Sequence, residues 1–196
     1  MTFHQLPQAQ GMYDPSFEHD ACGIGLYAHI KGNATHDIVK KGLEMLCRLE
    51  HRAGRGGDGK TGDGAGLMVQ IPDIFFRVVC NEWDLPEKGK YGVGMLFFTN
   101  DSKERELIEQ KINDLIAAEG QVLIGWRTVP IDTSMLSDKA RETVPFVRQV
   151  FIQANNEMES LAFERKLYII RKQAEHWAGH QSLKFYCASL SSQTIV

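Results

Sequence analysis

Cys22 heads the run Cys22-Gly23-Ile24-Gly25-Leu26, a nucleophile type at the start of a short alternating stretch. On the residues alone two readings of it stay open. A lone cysteine where a strand begins is ordinarily structural. If the bond between Ala21 and Cys22 is cut, however, the thiol and a free α-amine share one residue. An α-amine has a pKa of about 7.7–8.0 and takes up a proton near neutral pH, which an amide nitrogen cannot. Nucleophile and base then belong to the same residue.

Two other spacings could do chemistry. Gly54-Arg55-Gly56-Gly57-Asp58-Gly59-Lys60-Thr61 fits the phosphate-loop pattern G-x-x-x-x-G-K-[ST] letter for letter. Such a loop leaves a strand and opens a helix, whose first N–H groups cradle the phosphate. Here a helix precedes the loop and Gly62 to Gly66 lead into a strand, so nucleotide binding is an alternative that the context opposes. Asp58 and Asp63 fail as a calcium loop, because Lys60 and Gly62 stand where oxygen ligands are required. His176 and His180, four apart, could offer two nitrogens on one helix face. Gly179 reads as the helix stop and no catalytic glutamate accompanies the pair, so surface histidines are expected and neither a metal site nor a cofactor-binding residue is assigned.

The composition excludes several classes. The 196 residues are 43% hydrophobic and 24% charged, as in an ordinary globular chain long enough to bury a core. Twenty-two basic and 25 acidic residues, interspersed to a net charge of −3, leave no basic stripe for nucleic acid or anionic lipid. The opening MTFHQLPQAQ lacks the cationic start and apolar run of a signal peptide, and no later apolar stretch nears the roughly 20 residues that span a bilayer. Cys22, Cys47, Cys80 and Cys187 are widely spaced without a CxxC pair, which points to thiols in a cytoplasmic protein; Cys47 and Cys80, in apolar segments, read as small core residues.

The elements that would position these groups follow from periodicity. Residues 1 to 21 read as an extended lead segment. Ile24, Leu26, Ala28 and Ile30 alternate as a strand with one apolar face. Thr35 is placed to cap a helix through Val39, Leu43, Leu46 and Leu49 that stops near Arg52, and the seven glycines of 54 to 66 make a loop. A strand over Leu67 to Ile71 and a helical stretch from Asp73 past Val79 towards Pro86 follow. From Lys90 the order is strand (Val93 to Thr99), helix (Asp101 and Glu104 as capping box, stop at Gly120), strand (Val122 to Val129), irregular link, strand (Phe146 to Gln153), helix (Phe163 to Gly179) and strand (Lys184 to Leu190). That β-α-β-β-α-β order is the ferredoxin-like split unit, although the pattern alone equally allows a doubly wound parallel sheet.

Three ordered blocks carry a family resemblance. They are Asp20-Ala21-Cys22-Gly23-Ile24-Gly25-Leu26, Leu49-Glu50-His51-Arg52, and the run from Asp58 to Leu67. Together they resemble the opening of the glutamate synthase large-subunit family, within the class II glutamine amidotransferases of the N-terminal nucleophile hydrolase superfamily. The resemblance implies an α+β fold: the start of a four-layer αββα sandwich with the β-α-β-β-α-β (ferredoxin-like) unit attached. It also implies a propeptide at 1–21, a first part of the glutaminase domain at 22–90, and the remaining portion of that domain at 91–196.

The same resemblance makes Cys22 the catalytic nucleophile and Arg52 the residue that holds the α-carboxylate of glutamine, a task suited to a guanidinium's two parallel hydrogen bonds. Without it, Arg52 reads as a cation at a helix end, favourable to the helix dipole. The implied parent activity releases ammonia from glutamine and feeds it to 2-oxoglutarate. FMN and an iron–sulfur cluster are implied for the full-length enzyme and none for this segment; the other large-subunit domains, with a reductase small subunit or ferredoxin, are the implied partners, and neither nucleic acid nor membrane is. The sequence departs from the family pattern in having Ala53 where glycine is usual. It also ends at Val196, ahead of the family's asparagine-glycine oxyanion hole, and contains no Asn-Gly pair. Loss of one oxyanion donor costs about 10²–10³ in rate. The expectation for the 196 residues by themselves is therefore an incomplete, inactive portion, with a catalytically silent folded module of the same family as the alternative.

Overall fold

The computed structural model describes residues 8–12, 14, 23–54, 62, 64–155 and 158–196, with Arg52 described by its backbone alone. The chain divides into two compact units, Met1–Ala65 and Gly66–Val196.

In the first unit, helix α1 spans His36–Arg48, with Asp37 in its first turn where the helix dipole favours an anion. Thr35 occupies the N-cap with extended backbone, but its hydroxyl makes no capping hydrogen bond. The helix ends four residues earlier than the periodicity implied. Leu49 N donates to both Met45 O and Leu46 O, tightening the last turn, and Glu50–Arg52 continue as a 3-10 turn. The strand expected over Ile24 to Ile30 does not form. Residues 23–29 join no strand ladder, and Ile24, Leu26 and Ile30 are 92%, 89% and 103% exposed. Period-2 patterning names the face a strand would bury, but a strand also needs a partner for its backbone, and no strand forms in this unit among the described residues.

The second unit is α+β with antiparallel sheets. Strands β1 (Val69–Gln70) and β6 (Thr194–Ile195) form one short pair. The main sheet has the order β3-β4-β2-β5, built from β2 (Tyr91–Phe98), β3 (Val122–Thr128), β4 (Phe146–Gln153) and β5 (Phe185–Ser191). All its neighbours are antiparallel, which removes the doubly wound parallel alternative. Helices α2 (Asp73–Val79), α3 (Ser102–Ala118), α4 (Asp138–Glu142) and α5 (Ser160–His180) complete the unit. The short helix α4 begins at Asp138, where the irregular link expected over Pro130 to Asp138 ends.

Side-chain alternation along β2 and β4 builds a core on each face of the sheet. Leu96, Phe98, Val150 and Ile152 meet Ile108, Ile112, Phe163, Leu167 and Ile170 of α3 and α5. Tyr91, Val93 and Phe151 meet Phe76, Cys80 and Leu85, from α2 and the segment after it. A side chain at Gly92 would lie 2.5 Å from Leu167 Cδ1, so only glycine lets α5 pack this closely on β2. Asp101 caps α3 by accepting from Lys103 N and Glu104 N, whereas Glu104 turns to Thr99 Oγ1 instead of completing the box. Gly120, at φ +70, follows the end of α3 as predicted. Helix α5 runs through Gly179 to His180. No helix among the described residues is long and apolar enough to cross a membrane.

Candidate active site

The site residues inferred from the sequence belong to the first unit. Cys22 lies outside the described residues, as do residues 55–61 of the phosphate-loop pattern and Asp63. The described neighbourhood begins at Gly23. A Cβ there would stand 3.0 Å from Leu49 Cδ2, and one at Gly25 would collide with Met45 Sδ. The segment after position 22 therefore passes the last turn of α1 on bare backbone at these two positions. Glycine at these two positions is what lets Leu49 and Met45 come so near.

Leu49 leads into the turn that carries Arg52. His51 Nδ1 lies 2.9 Å from Arg48 O and satisfies one of the carbonyls the helix end leaves open. Ala53 N closes the turn on Glu50 O at 3.0 Å. Sequence reasoning gave His51 no role of its own. Its signal was position, a histidine in the turn just after a helix, where ring nitrogens bond final carbonyls. Ala53 has φ −85 and ψ 137, a backbone that any residue adopts, so the alanine in place of glycine introduces no strain. Along α1, Glu44 joins Lys41 and Arg48, and hydrogen bonds from Arg48 and Lys41 hold its carboxyl below the usual range.

The two buried thiols of the second unit are poorly suited to nucleophilic chemistry. Burial pushes Cys187 up to about 12 and raises Cys80 as well, so both are thiols near neutral pH. They belong to different core clusters, and Cys47 lies exposed in the other unit. Among the described residues no group of three or more His, Cys, Asp or Glu side chains is arranged to hold a metal ion. The described thiols do not fit an iron–sulfur cluster.

The family described as glutamine amidotransferases class-II matches residues 22–196, beginning at Cys22 itself. The chain belongs to the class II glutamine amidotransferases. It is 62% identical over its whole length to the glutamate synthase [NADPH] large chain of Bacillus subtilis, of which it covers 13%. It is 39% identical to the ferredoxin-dependent glutamate synthase 1 of Arabidopsis thaliana, over 97% of this chain and 12% of that one. It is 36% identical to the glutamate synthase [NADH] of Schizosaccharomyces pombe, over 97% of this chain and 9% of the relative. This family is one of enzymes, and these relatives are glutamate synthases, of which the chain spans about an eighth or less.

Proposed function

We propose that this amidotransferase chain supplies the glutamine-hydrolysing step of a glutamate synthase, with Cys22 as nucleophile and Arg52 as substrate clamp. The observation that carries the reading is where the family match begins: residue 22, the cysteine that removal of residues 1–21 would leave at the N-terminus. The bare-backbone approach of Gly23 to Leu49, three residues before Arg52, supports it from the geometry.

In the proposed reaction the Cys22 thiolate attacks the side-chain amide carbon of glutamine, while Arg52 holds the α-carboxylate. The α-amine of Cys22 takes the thiol proton and delivers it to the departing nitrogen, so ammonia leaves and a γ-glutamyl thioester remains. Water then cleaves the thioester, giving glutamate and regenerating the thiol. In the larger enzyme the ammonia passes to 2-oxoglutarate. The remaining large-subunit domains supply FMN and the iron–sulfur cluster, and a reductase small subunit or ferredoxin supplies electrons, in a cytoplasmic setting. For the architecture we propose the start of the αββα sandwich across 22–90, with the β-α-β-β-α-β unit of 91–196 as its ferredoxin-like companion; the antiparallel order β3-β4-β2-β5 favours that companion.

Mass spectrometry of the purified protein is expected to find a species beginning at Cys22, and a thiol-directed glutamine analogue is expected to label that residue. In the full-length enzyme, glutamate release from glutamine should fall to background in Cys22→Ala. Folded protein that keeps Met1 and takes no label at Cys22 would sink the reading.

A further inference from the structure

The histidine pair at the end of α5 takes no part in the proposed hydrolysis, and its geometry departs from what the sequence implied. Because α5 continues through Gly179, His176 and His180 stand one helical turn apart on a single face. Their Nε2 atoms are 3.1 Å apart and their ring centroids 4.4 Å, with the rings inclined at 67°. Both residues are exposed.

We propose that His176 and His180 form a bidentate site for a late first-row divalent cation of the Ni²⁺ or Cu²⁺ kind, ligated through the two Nε2 atoms. A metal–imidazole bond is about 2.0–2.1 Å, and two such bonds meeting at about 90–109° put the nitrogens about 2.9–3.4 Å apart. The observed separation falls within that span. At this distance the two ring nitrogens can share one proton, or, with both in the neutral acceptor tautomer, donate both lone pairs to one cation.

The surroundings permit a cation. Arg171 and Lys172, in the preceding turn, both pair with Glu175, at 2.8 and 2.5 Å, so their charges are offset there. Imidazole ligands suit the late divalent metals, and the Irving–Williams order places Cu²⁺ above Ni²⁺ at such a site. With no third protein ligand arranged among the described residues, water fills the remaining coordination positions. The bound ion clamps the last turn of α5, from which the chain passes through Ser182, at φ +57, into β5.

The test is calorimetric titration of the full chain with Ni²⁺ alone, beside His176→Ala, His180→Ala and the double variant, all shown to keep native circular dichroism. Each single substitution is expected to weaken one Ni²⁺ equivalent by about tenfold or more, because a chelate becomes a single ligand. The double variant should bind hardly more weakly than either single one, since the rings act as a unit. Exposed Cys47 is common to all four proteins and cancels in the comparison. Electron paramagnetic resonance with Cu²⁺ alone gives a second readout: coupling to two nitrogens in the parent and to one in His176→Gln. Retention of parental Ni²⁺ affinity by either single variant, or unchanged nitrogen coupling, overturns the proposal.

Discussion

Tyr91, Val93, Phe151, Leu167 and Ile170 of the second unit are all at 0% exposure, whereas Ile24, Leu26 and Ile30 of the first stand in solvent and Gly42 is the buried residue of α1. The region that carries the motif blocks is therefore, among the described residues, the one with the thinner core of its own. Chemistry favours that arrangement. Under the proposed function a thiol and a guanidinium must be reached by substrate, and glycine-rich turns that bring backbones together forgo the side chains from which a core is made. The second unit follows the opposite rule: its helices and strands each carry an apolar stripe, and the stripes meet.

The sharpest way to break the contrast is to remove the centre of the second unit. Phe151 packs edge-on to Phe76 at 5.1 Å and to Trp83 at 5.2 Å, and stacks near Tyr91 at 6.4 Å. Phe151→Ala is expected to lower unfolding stability by about 3–5 kcal/mol, the range for opening a large aromatic cavity. Urea denaturation followed by tryptophan fluorescence measures it. A loss below about 1 kcal/mol would mean that the core is not centred there.

Arg52→Ala is expected to reverse the pattern, costing activity and leaving stability alone. In the full-length enzyme, removing the proposed charge-assisted clamp should lower kcat/KM for glutamine by about 10–100-fold, chiefly through KM, with Arg52→Lys recovering part. Steady-state glutaminase assays beside denaturation midpoints separate the two effects. An unfolding cost comparable to that of Phe151→Ala would make Arg52 a structural residue and dissolve the distinction between the units.

A smaller effect sits where α2 joins the sheet. Tyr91 OH donates to Asp73 Oδ1 at 2.9 Å, and Arg77 binds both Asp73 oxygens, at 2.9 and 3.1 Å, while also reaching Leu85 O. Burial pushes the Asp73 carboxyl up, but the hydrogen bonds from Arg77 and Tyr91, with the charges of Arg77 and Lys88, outweigh it and hold the group below the ordinary carboxylate range. Burial and Asp73 together push the Tyr91 phenol well up, so it remains a donor. A depressed folded pKa contributes stability that is present above the unfolded value of about 3.9 and is lost as pH falls through the folded value. Tyr91→Phe should cost about 1–2 kcal/mol near neutral pH. It should also shrink the acid loss from this group and complete it at higher pH, because the Asp73 carboxyl then titrates closer to its unfolded value, which denaturation midpoints between about pH 2 and 7 would show. An acid profile identical to the parent's would discount this contact.

Legibility followed the same division. Strand β4 ran from Phe146 to Gln153 in sequence and structure alike, because β-branched and aromatic residues without Gly or Pro leave little alternative. Helix α3 was legible from Asp101 and Gly120, which act through backbone chemistry local to each end. Where local pattern failed, the missing quantity was a partner: the alternation of 24–30 does not say what it pairs with. The length of α5 was misread at Gly179 because glycine lowers helix propensity by only about 1 kcal/mol, which packing of Phe163, Leu167, Ile170 and Ala174 overcomes. At the candidate site, the three motif blocks singled out Cys22 and Arg52. The contact of Gly23 on Leu49 is a matter of tertiary approach that no motif encodes.

The smallest expected effect is the most specific to the turn beside Arg52. If the family's usual glycine were needed there for its backbone freedom, Ala53→Gly would raise activity. At φ −85 and ψ 137 alanine already fits, so glycine adds only conformational entropy to the unfolded chain. Ala53→Gly is therefore expected to cost about 0.4–1 kcal/mol of stability while leaving kcat/KM for glutamine in the full-length enzyme within about twofold. A gain of about fivefold or more would show that the turn reaches, during turnover, a conformation closed to alanine. The site would then owe its geometry to motion in the first unit, and the exposure of that unit would be part of how it works.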